Sequence, residues 1–341
     1  MEGIVLLSGE SPHLALAELE GALKAIGSDV KIGAYDPPIV VLSDGPPSGL
    51  ADRMAFCHFT GSLSARAHPD VKSILEASKE VLSTMPKGTS VTFKVRSTRT
   101  SEHPEASDIF LALEGIAREA GLTVKHRGGS STLFIVVKDI AYIGWTFERT
   151  DRKRTMSRKG SLMPFGRPIV MDPRLARAMV NLSGLREGSL VLDPFLGMGG
   201  LAMEASLLGL KVKGIERDPN ILNEANANIS HLGLADRIET VQGDSRDLTD
   251  RNFREGIGPI DGIITDPPFG RSSPLPGGDP GGLLLTVLEG SRSLLRTGAP
   301  LVFDTDDPDI LGQITDYTIE AVLPFRVHRS MTRYMTVLRA A

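Results

Sequence analysis

The sequence predicts an α/β protein in which a doubly wound parallel sheet fills the carboxyl-terminal half and two smaller mixed units precede it. Three observations carry that expectation. From about residue 168, short apolar runs alternate with stretches of helical periodicity, the pattern of successive β-α-β units. Before that point the runs are less regular and are punctuated by "SDGPPSG" near residue 50. At 341 residues the chain has room for two or three domains, each able to bury its own core.

The first unit opens with "IVLL", a buried strand, followed by "HLALAELEGALKAI", whose apolar positions recur at helical spacing. A second apolar run, "IVVL", closes it after "YDPP". In the second unit, helices over about 70–84 and 106–120 alternate with the strands "VTFKVRST", "LTVKHR", "STLFIVVKD" and "AYIGWTFER". Then comes "RTDRKRTMSRKGSLMPFGRP", a basic linker. In the doubly wound part the strands are "SLVLD", "KVKGIE", "IETVQGD", "DGIITD" and "APLVFD". Helices over "LAMEASLLG", "NILNEANANISHLG" and "LLLTVLEGSRSLL" separate them. The expected boundaries are 1–50, 51–148, the linker at 149–165, and 166–341.

Charge narrows the possible partners. The net charge is −4, so the overall balance gives no reason to expect nucleic acid. The distribution does. Residues 85–159 carry 14 Lys and Arg against 8 Asp and Glu, a local +6, whereas residues 161–341 carry 18 against 23, a local −5. Arg152, Lys153 and Arg154 in the linker are candidate phosphate contacts, with a plain solvated linker as the alternative. Arg329 and Arg333 in "HRSMTRY" share one strand face at even spacing, suited to a phosphate contact or to simple solvation.

Cys57 is the only cysteine, which excludes an intrachain disulfide framework and a thiolate metal cluster. His58, His103, His126 and His231 form no ligand-spaced group, so no metal is expected. Neither a membrane span nor a signal peptide is legible, and a cytoplasmic protein is the expectation.

Two short stretches carry chemistry. The first, "VLDPFLGMGG" at 191–200, sets a glycine turn between the first strand and first helix of the sheet, where a ligand can approach the backbone closely. Gly197, Gly199 and Ala202 also satisfy the dinucleotide pattern, and Glu216 ends the next strand, where either reading expects a ribose-binding acid. Charge distinguishes them. A carboxylate at Asp193 would repel a pyrophosphate but attract the ammonium and sulfonium of S-adenosylmethionine. A turn cap is the plainer role for Asp193. Asp244, after the third strand, either accepts a hydrogen bond from an adenine amine or caps a turn.

The second stretch, "TDPPFG" at 265–270, puts Asp266 at the carboxyl end of a strand, where open parallel sheets bind ligands. Alone, Asp-Pro-Pro is an ordinary turn. Beyond a donor loop it suits methyl transfer to a nucleobase amine: the carboxylate and a backbone carbonyl accept the N–H hydrogens and favour a more tetrahedral nitrogen. Pro267 and Pro268 stiffen those acceptors, and Phe269 offers a stacking face for a flipped base.

"DPFLGMGG" together with "DPPFG" resembles the nucleobase amino-methyltransferases, and the whole chain resembles the archaeal tRNA guanine-10 N2-methyltransferases. "TFKVRSTRT" and "HRGGSSTLFIVV" are similar to the core of a THUMP domain, "RPIVMDPRLARAMVNLSG" to the helix before the donor loop, and "HRSMTRYMTV" to the last strand. The resemblance implies a ferredoxin-like unit and a THUMP RNA-binding domain ahead of a Rossmann-fold methyltransferase, with transfer of one or two methyl groups to N2 of guanine 10 in tRNA. It places Asp193, Phe195, Gly197, Gly199, Glu216 and Asp244 at donor-binding positions and Asp266, Pro267, Pro268 and Phe269 in the catalytic motif. Met198 stands where the family commonly has Thr, and Phe269 where it commonly has Tyr. A monomer is expected, with room for an accessory subunit. Two alternatives remain: a guanine in another tRNA position or in ribosomal RNA, and an RNA-binding protein without activity.

Overall fold

In the computed structural model, residues 1–97, 104–166, 171–268, 279–328 and 331–341 are described. Phe269 and Arg329 lie outside them, as do parts of the two stretches that contain them. The chain separates into two compact units that interleave in sequence. One comprises Met1–Gly9, Val30–Asp52 and Cys57–Thr150; the other comprises Glu10–Asp29, Arg53–Phe56 and Asp151–Ala341.

The first unit is built on one eight-stranded sheet. Its strands are β1 (Gly3–Leu7), β2 (Ile32–Asp36), β3 (Ile39–Leu42), β4 (Cys57–Ala67), β5 (Ser90–Ser97), β6 (Thr123–Val124), β7 (Ser131–Val137) and β8 (Ala141–Arg149), in the order β2-β3-β1-β4-β8-β7-β5-β6. β5 is parallel to β6 and β7, and the remaining pairs are antiparallel. Alternation of side chains divides the core between the two faces. Leu133 and Ile135 of β7 join Ile74, Leu82, Ile109 and Leu113 of the helices Val71–Ser83 and Ala106–Glu119. Phe134 and Val136 face the other way, with Ile4, Leu6 and Val41.

Two features of this sheet differ from the expectation. β4 joins β1 to β8, so the break expected near residue 50 falls inside a hydrogen-bonded sheet. Its small and polar residues, "CHFTGSLSARA", hide a strand that lies in the middle of a sheet. The run "LTVKHR" contributes only the two residues of β6.

The second unit is a seven-stranded sheet of β9 (Leu190–Asp193), β10 (Lys211–Glu216), β11 (Ile238–Gln242), β12 (Gly262–Thr265), β13 (Pro300–Thr305), β14 (Tyr317–His328) and β15 (Met331–Ala340). The order is β11-β10-β9-β12-β13-β15-β14. The first five in that order run parallel, and β15 and β14 form an antiparallel edge. From β9 the chain winds outward through β10 and β11, then returns to β12 and winds the other way. The reversal opens a crevice between the carboxyl ends of β9 and β12, where such sheets place their ligands.

The helix Pro12–Ile26 belongs to this unit rather than to the strands that flank it in sequence. It packs on the helix Pro173–Ser183, which has Asp172 as its N-cap, Pro173 in its first turn and Gly184 in the left-handed conformation after it. All eleven residues of that second helix are buried. Gly21 permits the approach, because a Cβ there would lie 2.1 Å from the Asn181 carbonyl oxygen. Glu18, fully buried, accepts the backbone N–H groups of Ala55 and Phe56 at 2.7 and 2.8 Å and the Asn181 side-chain amide at 2.9 Å. Burial raises its carboxyl above the ordinary range, against the pull of those three donors.

The stretch expected as a linker is structured. Asp151 accepts from the Arg154 backbone N–H and caps a helix over Arg152–Met156. Arg158 and Arg177 share the buried Glu204 carboxylate, with Nε contacts of 2.5 and 2.9 Å.

Candidate active site

The glycine loop leaves β9 at Asp193 and enters the helix Gly200–Leu207. Gly197 and Gly199 have φ of 52° and 80°, left-handed values that let the loop turn without a Cβ penalty. A Cβ on Gly197 would meet nothing closer than 3.9 Å, so that side of the loop is open to a ligand. Glu216, at the end of β10, receives the Gly197 N–H at 3.0 Å and the Asp218 N–H at 2.8 Å, one on each carboxylate oxygen. Each oxygen keeps a lone pair, enough to accept two ribose hydroxyls.

Asp193 is 2 % exposed. Its Oδ1 accepts from the Thr265 hydroxyl at 2.7 Å and from the Phe195 backbone N–H at 3.2 Å. Burial pushes its carboxyl up to about 7, and the charges of Asp266 and Glu216 push the same way. The capping bond is therefore present in a carboxyl that burial holds close to its protonated form, poised to ionise when a cation binds beside it. Phe195 packs half-buried against the core beneath the loop. Beside the loop, Met163, Phe165, Met198, Met203 and Asn228 line a small cleft.

Asp244 caps the 3-10 turn Ser245–Thr249 in a capping box with Asp247 and pairs with Arg246 at 2.6 Å. The bond from Arg246 holds its carboxyl below the ordinary range. The structural role named for it in the sequence is thus occupied; one carboxylate can still accept further bonds.

Asp266 follows β12 directly and sits across the crevice from the glycine loop. Pro267 is buried and Pro268 half-buried. Arg333 Nη2 lies 2.6 Å from Asp266 Oδ1, and Arg333 Nε lies 2.8 Å from Asp304 Oδ2. Asp304, the penultimate residue of β13, is fully buried. Burial raises its carboxyl well above the ordinary range and the charge of Asp266 adds to the effect, while Arg333 opposes it.

The structure thus brings together Asp193, Phe195, Gly197, Gly199, Glu216 and Asp266 around the crevice. Arg333, whose spacing with Arg329 suits a phosphate contact or simple solvation, lies against the strand-end carboxylates of Asp266 and Asp304. Arg152, Lys153 and Arg154 are exposed on their short helix, and Arg152 pairs loosely with Glu10 at 3.6 Å. Thr265 and Asp304 were not singled out in the sequence. Asp304 carried the same signal as its neighbours, an aspartate at the carboxyl end of a parallel strand in "APLVFD". Among the described residues, no group of three or more His, Cys, Asp or Glu is arranged to hold a metal.

A parallel sheet whose first strand feeds a glycine turn and whose fourth ends in Asp-Pro-Pro, the two adjoining at the switch point, defines a Rossmann-type methyltransferase domain. The UPF0020 family model, described as an RMKL-like methyltransferase domain, matches residues 162–333. A DNA methylase model matches residues 70–227 and so stops short of Asp266. The tRNA (guanine(10)-N2)-dimethyltransferase of Methanothermobacter thermautotrophicus is 30% identical over 99% of this chain and 99% of its own. The enzyme of the same name from Pyrococcus abyssi is 29% identical over 98% and 99%. The crystal structure of TrmN from Thermus thermophilus superposes with a TM-score of 0.60 at 21% identity, covering all of both chains. The chain belongs to the tRNA (guanine(10)-N2)-dimethyltransferase family.

Proposed function

We propose that this protein transfers methyl groups from S-adenosylmethionine to N2 of guanine 10 in tRNA. The observation that carries the proposal is similarity to enzymes of that name along essentially the whole chain, first unit included. The residues fit the donor. An open glycine loop, a ribose-ready Glu216 and a buried Asp193 suit a nucleoside bearing positive charge. Phe195 and Asp244 complete the proposed donor set. When bound, the donor would supply the methyl group of its sulfonium, leaving a neutral thioether behind.

The chain's own part is to prepare the amine. Asp266 and the backbone beside it accept the two N–H hydrogens, which turns the nitrogen lone pair toward the methyl group. As the N–C bond forms the nitrogen becomes cationic, and its proton passes to the Asp266 carboxylate and on to water. Pro267 and Pro268 limit the motion of that carboxylate, and Phe269 offers a stacking face for the base. One N–H remains after the first transfer, so the same acceptor serves a second.

We assign the first unit's strands before residue 50 to a ferredoxin-like module and the rest to a THUMP domain that contacts tRNA. We place Arg152, Lys153 and Arg154, exposed on their short helix, along the RNA backbone. The protein acts in the cytoplasm as a monomer, with or without an accessory subunit. Among the described residues no helix is long and apolar enough to cross a membrane, which is consistent with that location. The test is transfer of labelled methyl to bulk tRNA followed by nuclease mapping. N2-methylated guanosine at position 10 is expected; label confined to another nucleotide would contradict the assignment.

A further inference from the structure

We propose that Arg333 and Asp304 are positioning residues for Asp266, holding one of its carboxylate oxygens so that the other is free to accept from the substrate amine. The inference rests on the reading of Asp266 as that acceptor. Arg333 donates to Asp266 through Nη2 at 2.6 Å to Oδ1, and Asp304, when protonated, shares a side-chain hydrogen bond with the same carboxylate. Prolines fix the backbone after Asp266 but leave its two side-chain torsions free. The guanidinium removes that freedom.

Asp304 accounts for how the guanidinium is held. Antiparallel pairing sets Thr305 opposite Tyr334, which brings the preceding Arg333 to the end of β13 beside Asp304. Arg333 Nε is 2.8 Å from Asp304 Oδ2, and the two side chains are 14 % and 0 % exposed. One planar fork therefore spans two strand-end carboxyls, which the point charge of a lysine does less well. Burial of Asp304 favours its protonated form, with Asp266 beside it adding to the preference. Asp193 and Glu216 add negative charge on the glycine-loop side. Arg333 Nε lies at ion-pair distance from Asp304 Oδ2 without the geometry of a hydrogen bond, so the contact holds the guanidinium by proximity. A phosphate contact by Arg333 is the competing use, and its burial between two carboxyls disfavours it.

The test compares the full-length wild type with Arg333→Met, Arg333→Lys, Asp304→Asn and Asp304→Leu. The readouts are single-turnover methylation of tRNA, tRNA affinity at several salt concentrations, and donor affinity. Arg333→Met and Asp304→Leu should each lower kcat on the order of a hundredfold, as misplacement of a reacting group does, with KM for tRNA unchanged. Asp304→Asn should restore most of the rate, because it keeps the shape of the side chain and an oxygen beside Nε, and Arg333→Lys should fall between. Donor binding checks that each variant is folded; should Asp304→Leu fail that check, the two Arg333 variants decide. An unchanged kcat in Arg333→Met, with weaker tRNA binding and a salt slope shallower by about one, would establish the phosphate contact and overturn the proposal. A wild type that transfers no methyl to tRNA would overturn the reading of Asp266 itself, which an active wild type with unaffected variants would leave standing.

Discussion

The Thr265 hydroxyl donates to Asp193 Oδ1 at 2.7 Å, across the boundary between β12 and β9. Thr265 is the residue before Asp266, so a single buried bond ties the end of the acceptor strand to the start of the glycine loop. The reversal of strand order creates the crevice; this bond fixes its two sides at atomic distance. Relative placement of donor and acceptor therefore depends on the sheet rather than on mobile loops.

The carboxyl of Asp193 gives donor binding a pH dependence of definite sign. Folding raises it from about 3.8 to about 7, so its contribution to stability is fully present below about 3.8 and is lost as the pH rises through 7. Binding of a cationic donor favours the ionised form and releases the proton. Affinity for S-adenosylmethionine should rise up to tenfold per pH unit below about 7 and level off above it. Calorimetry in two buffers of different ionisation enthalpy measures the proton released, and Asp193→Asn should abolish that release and weaken binding. Donor affinity that is flat from about pH 5.5 to 8 would remove Asp193 from the site.

Glu18 anchors the helix Pro12–Ile26 to the carboxyl-terminal unit. Glu18→Ala leaves the Ala55 and Phe56 N–H groups and the Asn181 amide without their buried acceptor, at about 1–3 kcal/mol for each. A fall in Tm of many degrees is expected, with a smaller one for Glu18→Gln, which keeps an acceptor oxygen. By the same logic a fragment beginning at residue 151 exposes the helix Pro173–Ser183 and should not melt cooperatively. A fragment as stable as the intact chain would contradict this packing account.

Asp266→Ala should bind donor and tRNA almost normally and turn over slowly. Its carboxylate matters most as the amine nitrogen becomes tetrahedral and positive in the transition state. Removal of one such electrostatic contact lowers kcat on the order of 10²–10³-fold. Asp266→Asn should also be poor, since an amide accepts a weaker bond and its NH₂ opposes the substrate amine. Wild-type turnover in either variant, measured under single-turnover conditions, would deny the residue its role.

Both strand-end motifs are legible because each sets a carboxylate after an apolar run and before glycine or proline, and the two occur together in one parallel sheet; either alone is an ordinary turn. Asp304 had the first half of that signal but no breaker after it, and passed as the end of a buried strand. Glu18 carries no sequence signal of burial, because a single charged residue is ordinary in an amphipathic helix. Periodicity identifies which face of a helix is apolar but not which surface covers it, so the grouping of Pro12–Ile26 with the distant helix Pro173–Ser183 could not be read. The close approach at Gly21 and the buried Asn181 decide it. β4 was hidden for a related reason: small and polar residues suffice in a strand paired on both sides. The period-2 spacing of Arg329 and Arg333 suits a phosphate contact or simple solvation and says nothing about the carboxylates at the ends of neighbouring strands.

The central claim is that the acceptor is N2 of guanine 10 in tRNA, and one substrate pair tests it most directly. Methyl incorporation is compared between an unmodified tRNA transcript and the same transcript with inosine at position 10, which pairs as before but lacks the N2 amine. The wild-type protein should methylate the first and transfer nothing to the second. Equal incorporation into both would show that the methyl group goes elsewhere.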